Sequence, residues 1–460
     1  MDRTKSSICN GKLMNKILDI KKLTIAFSKN VSKEQNIFLQ FFREKKKSYT
    51  LLRDVNLAVF EGEYLGLVGE SGCGKSLTMK TIFGMIDFDP GIVSGKIVFN
   101  DLKNNQKINL LNTNNRKYFN KILSNTYFSE DHYKVENGKV SFDKNLLLSS
   151  KTEFYLYNKN GDNKKVVFGK KYKDFFYILS KDELIYTHCF ILCKKIIPLD
   201  NKKNINEILK SSKSNNIPGK FVSIILQDPL SFMNPYWSMI KQMTNLKKLH
   251  PSNETNDIDS ILENVKLKDD SFKNALPREL SGGQGQRAMI VLSSLTKPKL
   301  LIADEPTTGL DVTLKKIVVE KFKDLKKTIS QKFSMIFISH DLNMVRRATT
   351  RMNVMYKGQI IENGLSKDFI QSKKHHPYTK KLINITKSNF TSVNISSDKV
   401  PDDKKFGGCS YYSVCEHKSK NNLCSKLTPP AIDIKNGDVL IEEDPTISWV
   451  KCWSFLKDNK

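Results

Sequence analysis

Residues 280–311 read LSGGQGQRAMIVLSSLTKPKLLIADEPTTGLD, and the fold is decided in this stretch. It opens on Leu280-Ser281-Gly282-Gly283-Gln284, ahead of a helix predicted to begin near Gly285. A helix start carrying glycines and a serine presents free backbone N–H groups and a hydroxyl, which is what a terminal phosphate needs. The apolar run Leu300–Ala303 then ends in Asp304-Glu305. A buried strand that delivers two carboxylates to its end offers a metal ligand followed by a base.

Working outward, Tyr64–Val68 reads as a short buried strand, and GESGCGKS (Gly69–Ser76) follows it directly. The run fits G-x-x-x-x-G-K-[ST], in which glycines let backbone amides close around a β-phosphate. Its candidate phosphate-binding residues are Gly69, Glu70, Ser71, Gly72, Cys73, Gly74, Lys75, Ser76 and Leu77. Lys75 is placed to reach the β/γ oxygens, and the Ser76 hydroxyl to bind Mg²⁺. Cys73 is read as a small filler rather than a reactive thiol. A helix is expected over Leu77–Met85, and Ser94–Phe99 resumes an antiparallel strand pattern.

Composition bounds the alternatives. The chain has 460 residues, enough for two to three domains, with 76 Lys+Arg against 48 Asp+Glu and a formal charge of +28. Such a balance admits a nucleic acid or an anionic membrane surface, beside the plainer reading of lysines spread over solvated faces. No run of 18 apolar residues is present, so no segment is expected to span a bilayer unaided. The N-terminal MDRTKSSICNGKLMNKILDI lacks a signal-peptide core, so a cytoplasmic location is expected. Eight cysteines in so long a chain argue for metal or redox chemistry where they cluster, against a disulfide framework.

Together LSGGQ and LLIADEPTTGLDVT resemble the signature and Walker B motifs of ABC-type ATPases, and the wording is closest to the ATPase subunits of oligopeptide and dipeptide importers. The resemblance implies an α/β fold: a RecA-like P-loop core with an antiparallel β subdomain and a helical subdomain. It assigns ATP and Mg²⁺ as cofactors, with Ser76, Gln227 and Asp304 around the metal and Glu305 polarising water. His340, which ends the strand Ser334–Ile338, matches the H-loop, and Gln227, which ends the run Lys220–Leu226, matches the Q-loop. Asp311 falls in the D-loop that crosses the dimer interface, and Ser281, Gly282, Gly283 and Gln284 complete a partner's nucleotide site. An aromatic near the end of the first strand stacks on adenine in this family. Phe27 matches by motif, with Tyr49 as competitor. One departure is Gly285, where the family usually carries a basic residue. Glycine there costs a helix about 1 kcal/mol.

The family's spacing also exposes an insertion. Lys75 and Gln227 stand 152 positions apart, far more than the resembled ATPases require. The expected organisation is therefore 15–111 for the first part of the core and 112–204 for an inserted, β-rich module. The second part of the core follows at 205–385, with a C-terminal extension at 386–460. The insertion is lysine-, asparagine- and aromatic-rich, with strand-like runs at Phe154–Tyr157 and Lys165–Phe168. Its His188, Cys189 and Cys193 lack a nearby fourth ligand and are read as core residues. Tyr236, Trp237 and Met239, after the Q-loop, are either a grip on a transmembrane partner or subdomain core.

In the tail, His376-Pro377-Tyr378-Thr379-Lys380 resembles the element that ends the importer core. Beyond it stand Cys409, Cys415, Cys424 and Cys452. Zinc usually takes pairs two to four residues apart, and no such pair exists here. Irregular spacing with one remote cysteine suits a [4Fe-4S] cluster better, and plain reduced thiols are the third possibility. The importer family carries such a cluster on a similar pattern. Resemblance covers about three quarters of the chain. It implies a second ABC ATPase subunit (a paralogue as the better expectation), two transmembrane permease subunits and, indirectly, an extracellular peptide-binding protein. The location implied is peripheral, on the cytoplasmic face of the membrane, with no nucleic acid partner. The rival reading is a soluble ABC ATPase acting on nucleic acid or ribosomes, favoured only by charge.

Overall fold

The computed structural model describes residues 7–9, 12–31, 45–83, 85–86, 90–102 and 106–113, then the strand segments 122–128, 133–136, 139–142, 152–157, 163–166, 176–178 and 190–197. Beyond these it describes 221–228, 230–249, 257–267, 269–308, 312–372, 374–387, 408–417, 423–440 and 442–457. His188, Cys189 and Asp311 lie outside the described residues.

In chain order, β1 (Lys16–Val31) and β2 (Lys45–Phe60) lead into β3 (Tyr64–Val68) and α1 (Lys75–Ile82). Next come β4 (Pro90–Asp101) and β5 (Gln106–Thr113). Seven strands follow: β6 (Ile122–Phe128), β7 (Tyr133–Glu136), β8 (Lys139–Phe142), β9 (Thr152–Tyr157), β10 (Asn163–Val166), β11 (Phe176–Ile178) and β12 (Phe190–Ile197). The chain continues with β13 (Val222–Ile225), α2 (Met239–Leu249), α3 (Ile258–Asn264), α4 (Asp270–Asn274) and α5 (Gly282–Ser294). Then come β14 (Leu300–Asp304), α6 (Val312–Thr328), β15 (Ser334–Ser339) and α7 (Leu342–Ala348). It closes with β16 (Arg351–Tyr356), β17 (Gln359–Leu365), α8 (Asp368–Gln371), α9 (Pro377–Lys387), β18 (Ile432–Asp433) and β19 (Trp449–Val450).

The main sheet runs β13-β14-β15-β3-β16-β17-β19-β18, parallel from β13 to β16 and antiparallel beyond. Its central strands are buried on both faces. Tyr64 and Val68 point into one core and Leu65 and Leu67 into the other; Leu301, Ala303, Met335 and Phe337 alternate with Leu300, Ile302, Ile336 and Ile338 in the same way. Covering both faces is what turns these strands into near-continuous apolar runs. A second, antiparallel sheet ordered β2-β1-β4-β5 shares the core on the Leu65 side. Phe27 and Tyr49, the rival adenine-stacking candidates, are opposite one another in the β1–β2 ladder, so both sit at one place on this sheet.

Strand β5 pairs with β4 as far as Gly95 opposite Thr113, so the small sheet continues two residues past the boundary expected at 111. Strands β6 to β12 form two antiparallel sheets of their own, ordered β10-β9-β12-β6 and β11-β8-β7. Among the described residues, no helix is long and apolar enough to cross a membrane.

The C-terminal segment joins the core rather than trailing from it. Val450 and Trp449 pair with Glu362 and Asn363 of β17, while Leu423, Leu427, Ile432, Val439 and Trp453 form a small core of their own.

One buried ion pair fastens these parts together. Arg351 Nε donates to Glu63 at 2.7 Å, and its terminal nitrogens reach the Ala58 carbonyl at 2.6 Å and Asn363 Oδ1 at 2.9 Å. Asn363 in turn donates to the Ile447 carbonyl at 2.6 Å. Both charged side chains are almost wholly buried. Removing one partner strands the other charge in the core, so Arg351→Met should lower the unfolding free energy by about 3–5 kcal/mol. The double variant Arg351→Met/Glu63→Gln should recover part of it; denaturant unfolding of both measures this.

Candidate functional site

The parallel strands β3, β14 and β15 release their chemistry at the same, carboxyl-terminal, end, which is where open α/β sheets bind ligands. From β3 the chain turns through Gly72 (φ 78°) and Gly74 (φ 108°) into α1. That left-handed backbone is cheap only for glycine. Gly69 is held for a different reason: a Cβ there would lie 2.3 Å from the Met355 carbonyl oxygen and 2.7 Å from Cys73 Sγ. The turn Lys357-Gly358, expected from sequence and found with positive φ at both residues, backs the loop, Gly358 N–H donating to the Cys73 carbonyl at 2.8 Å.

Within this cradle Lys75 is 4 % exposed, its ammonium donating to the Gly69 and Glu70 carbonyls at 2.8 Å each. Ser76 Oγ donates to Asp304 Oδ1 at 3.0 Å, so hydroxyl and carboxylate meet across 228 positions of sequence. Hard oxygen donors of this kind fit Mg²⁺. Burial pushes the Asp304 carboxyl above its ordinary value, an environment that a divalent cation would relieve. Cys73 is buried, and burial likewise raises its thiol, in keeping with a filler.

Glu305 behaves oppositely. Its backbone is left-handed (φ 48°), an uncommon state for a non-glycine residue, and its N–H donates to the Ile338 carbonyl at 3.0 Å. This turn off the sheet carries the carboxylate to His340 Nδ1, 3.0 Å away, and to the Thr308 hydroxyl, which donates at 2.8 Å. The hydrogen bond to His340 holds the Glu305 carboxyl below its ordinary 4.5, and the same bond raises His340 above 6.5. A depressed acid contributes stability above 4.5 and loses it as pH falls through the folded value. A raised imidazole contributes below 6.5 and loses it as pH climbs through its own. The pair is therefore at full strength between those two values and weakens on either side.

The remaining sequence candidates fall in two groups. Gln227 leaves the sheet at the same end, two residues after Ile225, which pairs with Ala303; it is exposed. Ser281, Gly282, Gly283 and Gln284 begin α5, three residues earlier than the expected start near Gly285. A capping box moves the start: Ser281 Oγ accepts the Gln284 N–H at 3.3 Å, and Gln284 Oε1 accepts the Ser281 N–H at 2.9 Å. Gly285 has a packing reason, since a Cβ there would lie 2.7 Å from Leu230 Cδ2. Met239 is fully buried in the helical core and so is no surface grip, whereas Tyr236 is 86 % exposed. Phe27 is 37 % exposed.

Cys409, Cys415, Cys424 and Cys452 line one pocket, with Tyr411 and His376 beside them. Burial pushes the Cys409 thiol up to about 12 and raises Cys452 as well. Among the described residues, no group of three or more His, Cys, Asp or Glu side chains is arranged to hold a metal ion.

Two residues of consequence escape sequence reasoning. Gly358 signals only a turn, and Tyr378, read as part of a terminal element, accepts the Glu70 N–H at 3.0 Å. Nothing in their local sequence says that the phosphate loop lies against them.

The sequence matches the ABC transporter family over residues 52–163 and 191–308. Similar proteins include the dipeptide transport ATP-binding protein DppD of Haemophilus influenzae, 39 % identical over 38 % of this chain and 54 % of that protein. The oligopeptide transport ATP-binding protein OppD of Bacillus subtilis is 38 % identical over 40 % and 50 %. The metal-staphylopine import system ATP-binding protein CntD of Staphylococcus aureus (strain Mu50) is 28 % identical over 73 % and 87 %. The chain thus spans about half the length of the first two relatives.

The coupling of Glu305 to His340 is measurable. By NMR the His340 imidazole should titrate above 6.5, and in Glu305→Gln it should move back down towards that value.

Proposed function

This chain belongs to the ABC transporter family, and from that premise we propose that it hydrolyses ATP to energise import of oligopeptides or dipeptides. The observation that carries the reading is the meeting of Lys75, Ser76, Asp304, Glu305 and His340 at one end of the sheet. Lys75 and the loop amides bind the phosphates, and Ser76 and Asp304 hold Mg²⁺, which when bound neutralises phosphate charge. Two adjacent carboxylates are set apart by environment: burial raises Asp304, while His340 and Thr308 keep Glu305 ionised. Glu305 then accepts a proton from the attacking water, and His340, oriented through Nδ1, contacts the γ-phosphate. Most of the remaining work is positioning and charge stabilisation.

The exposed signature turn at Ser281–Gln284 is suited to complete the nucleotide site of a second ATPase chain. We extend the proposal to that chain, to two permease subunits and to a peripheral position on the cytoplasmic membrane face. Gln227 and Tyr236 are both exposed, and we take them as the candidates for contact with those partners. Peptide is preferred as substrate because the two highest-identity relatives above transport dipeptides and oligopeptides, whereas the third imports a metal–staphylopine complex. Cys409, Cys415, Cys424 and Cys452 would hold a [4Fe-4S] cluster. A cube accepts thiolates spread around a pocket, where a single tetrahedral zinc needs all its sulfurs about 2.3 Å from one point. Its contribution would be structural, tying the extension to itself.

Glu305→Gln should retain ATP binding while turnover falls at least ~100-fold, read by nucleotide titration and phosphate release. Near-normal hydrolysis in that variant would remove Glu305 from its role. Anaerobic purification from solubilised membranes should bring down integral membrane chains and a second ATPase, with iron and sulfide in the preparation. Ribosomes or DNA in their place would overturn transport, and metal-free protein that still assembles would overturn the cluster.

A further inference from the structure

Tyr378 is the second residue of α9, and its side chain is fully buried. The ring packs against both Tyr356 and Tyr411, with centroids 4.6 and 5.7 Å away. Its phenolic oxygen accepts the N–H of Glu70, where the phosphate loop leaves β3. The carbonyl of that same Glu70 is one of the two that grip the Lys75 ammonium. We infer that Tyr378 is a positioning residue for the phosphate loop. By fixing the Glu70 peptide from 308 positions away, it sets the place from which Lys75 and the loop amides meet the phosphates of a nucleoside triphosphate. The inference rests on the nucleotide-binding reading of the site.

Three features make Tyr378 a rigid brace. Its own N–H donates to His376 Nδ1 at 3.1 Å, and the His376 N–H donates to Glu362 Oε2 at 2.9 Å, so the start of α9 is pinned to β17. Burial holds His376 down to about 3, which keeps its ring neutral and the Nδ1 lone pair free to accept. Tyr411, which packs edge-on against both Tyr378 and Tyr356, belongs to the turn between Cys409 and Cys415. On the loop side, Gly69 is stopped by the Met355 carbonyl and Cys73 is bonded to Gly358. Glu70 lies between these two fixed points, and the tyrosine hydroxyl meets it there. A role in packing alone would need the ring and not the hydroxyl.

Tyr378→Phe separates the two, because it keeps the ring and deletes the acceptor. With the full chain, the KM and the Kd for ATP should rise about three- to tenfold, the size of one lost hydrogen bond, while kcat at saturating ATP stays within about twofold. Amide exchange at Glu70 should quicken in the same variant without added nucleotide. Tyr411→Phe, which alters a neighbouring hydroxyl, should leave KM within about twofold of the parent. A parent that binds ATP beside a Tyr378→Phe with unchanged KM and unchanged Glu70 exchange overturns the positioning role alone. A parent that binds no ATP removes the nucleotide reading and this role with it. If Tyr378→Phe does not fold, Glu70 exchange in the parent decides: rapid exchange there means the hydroxyl does not hold the amide.

Discussion

The Arg351–Glu63 pair is where the parts of this molecule depend on one another. Glu63 stands at the entry to β3 and accepts the Phe60 N–H at 2.9 Å, so the pair also closes the turn out of the antiparallel sheet. Arg351 opens β16, and Asn363, on β17, passes the network on to the carbonyls of Pro445 and Ile447 in the extension. Charges buried this deeply are tolerated because each has its hydrogen bonds satisfied by an element that must be in place for the bond to exist. Sheet, subdomain and extension are thereby obliged to form together.

The proposed nucleotide site inherits that rigidity. A phosphate loop has little side-chain packing of its own, so its shape is imposed by what touches it. Met355 stops Gly69, Gly358 holds Cys73, and Tyr378 holds Glu70. All three come from the β16–β17 hairpin, whose first strand Arg351 opens, and from α9. The loop is thus shaped by residues that arrive some 300 positions later in the chain. A loop formed in advance has less ordering to do when a ligand arrives, which favours affinity over adaptability.

Electrostatics then differentiates the two neighbouring acids. Asp304 is buried at the strand end, where it accepts the Ser76 hydroxyl; Glu305, one residue on, turns through a left-handed conformation to a histidine. The same end of the sheet therefore presents one carboxyl raised by burial and one held ionised by its hydrogen bonds. The thiol pocket is the other concentrated chemistry among the described residues, and Tyr411 places it one aromatic contact from the tyrosine that supports the loop.

Motif residues and their elements were legible in the sequence because their signals are local. Apolar alternation marked Tyr64–Val68 and Ser334–Ile338, glycine and lysine spacing marked the phosphate loop, and the turn at Lys357-Gly358 was read correctly. Local signals also misplaced the start of α5, since the capping box outweighs the poor helix propensity of Gly282 and Gly283. What tertiary structure alone decided is which distant groups share a space. Phe27 and Tyr49 are cross-strand neighbours, Gly285 makes room for Leu230, and Met239 lies in the core. The extension enters the main sheet, and Tyr378 reaches Glu70. Periodicity reports which face of an element is buried and turn chemistry reports where the chain reverses. Neither carries information about the partner across the interface, because that depends on packing between residues hundreds of positions apart.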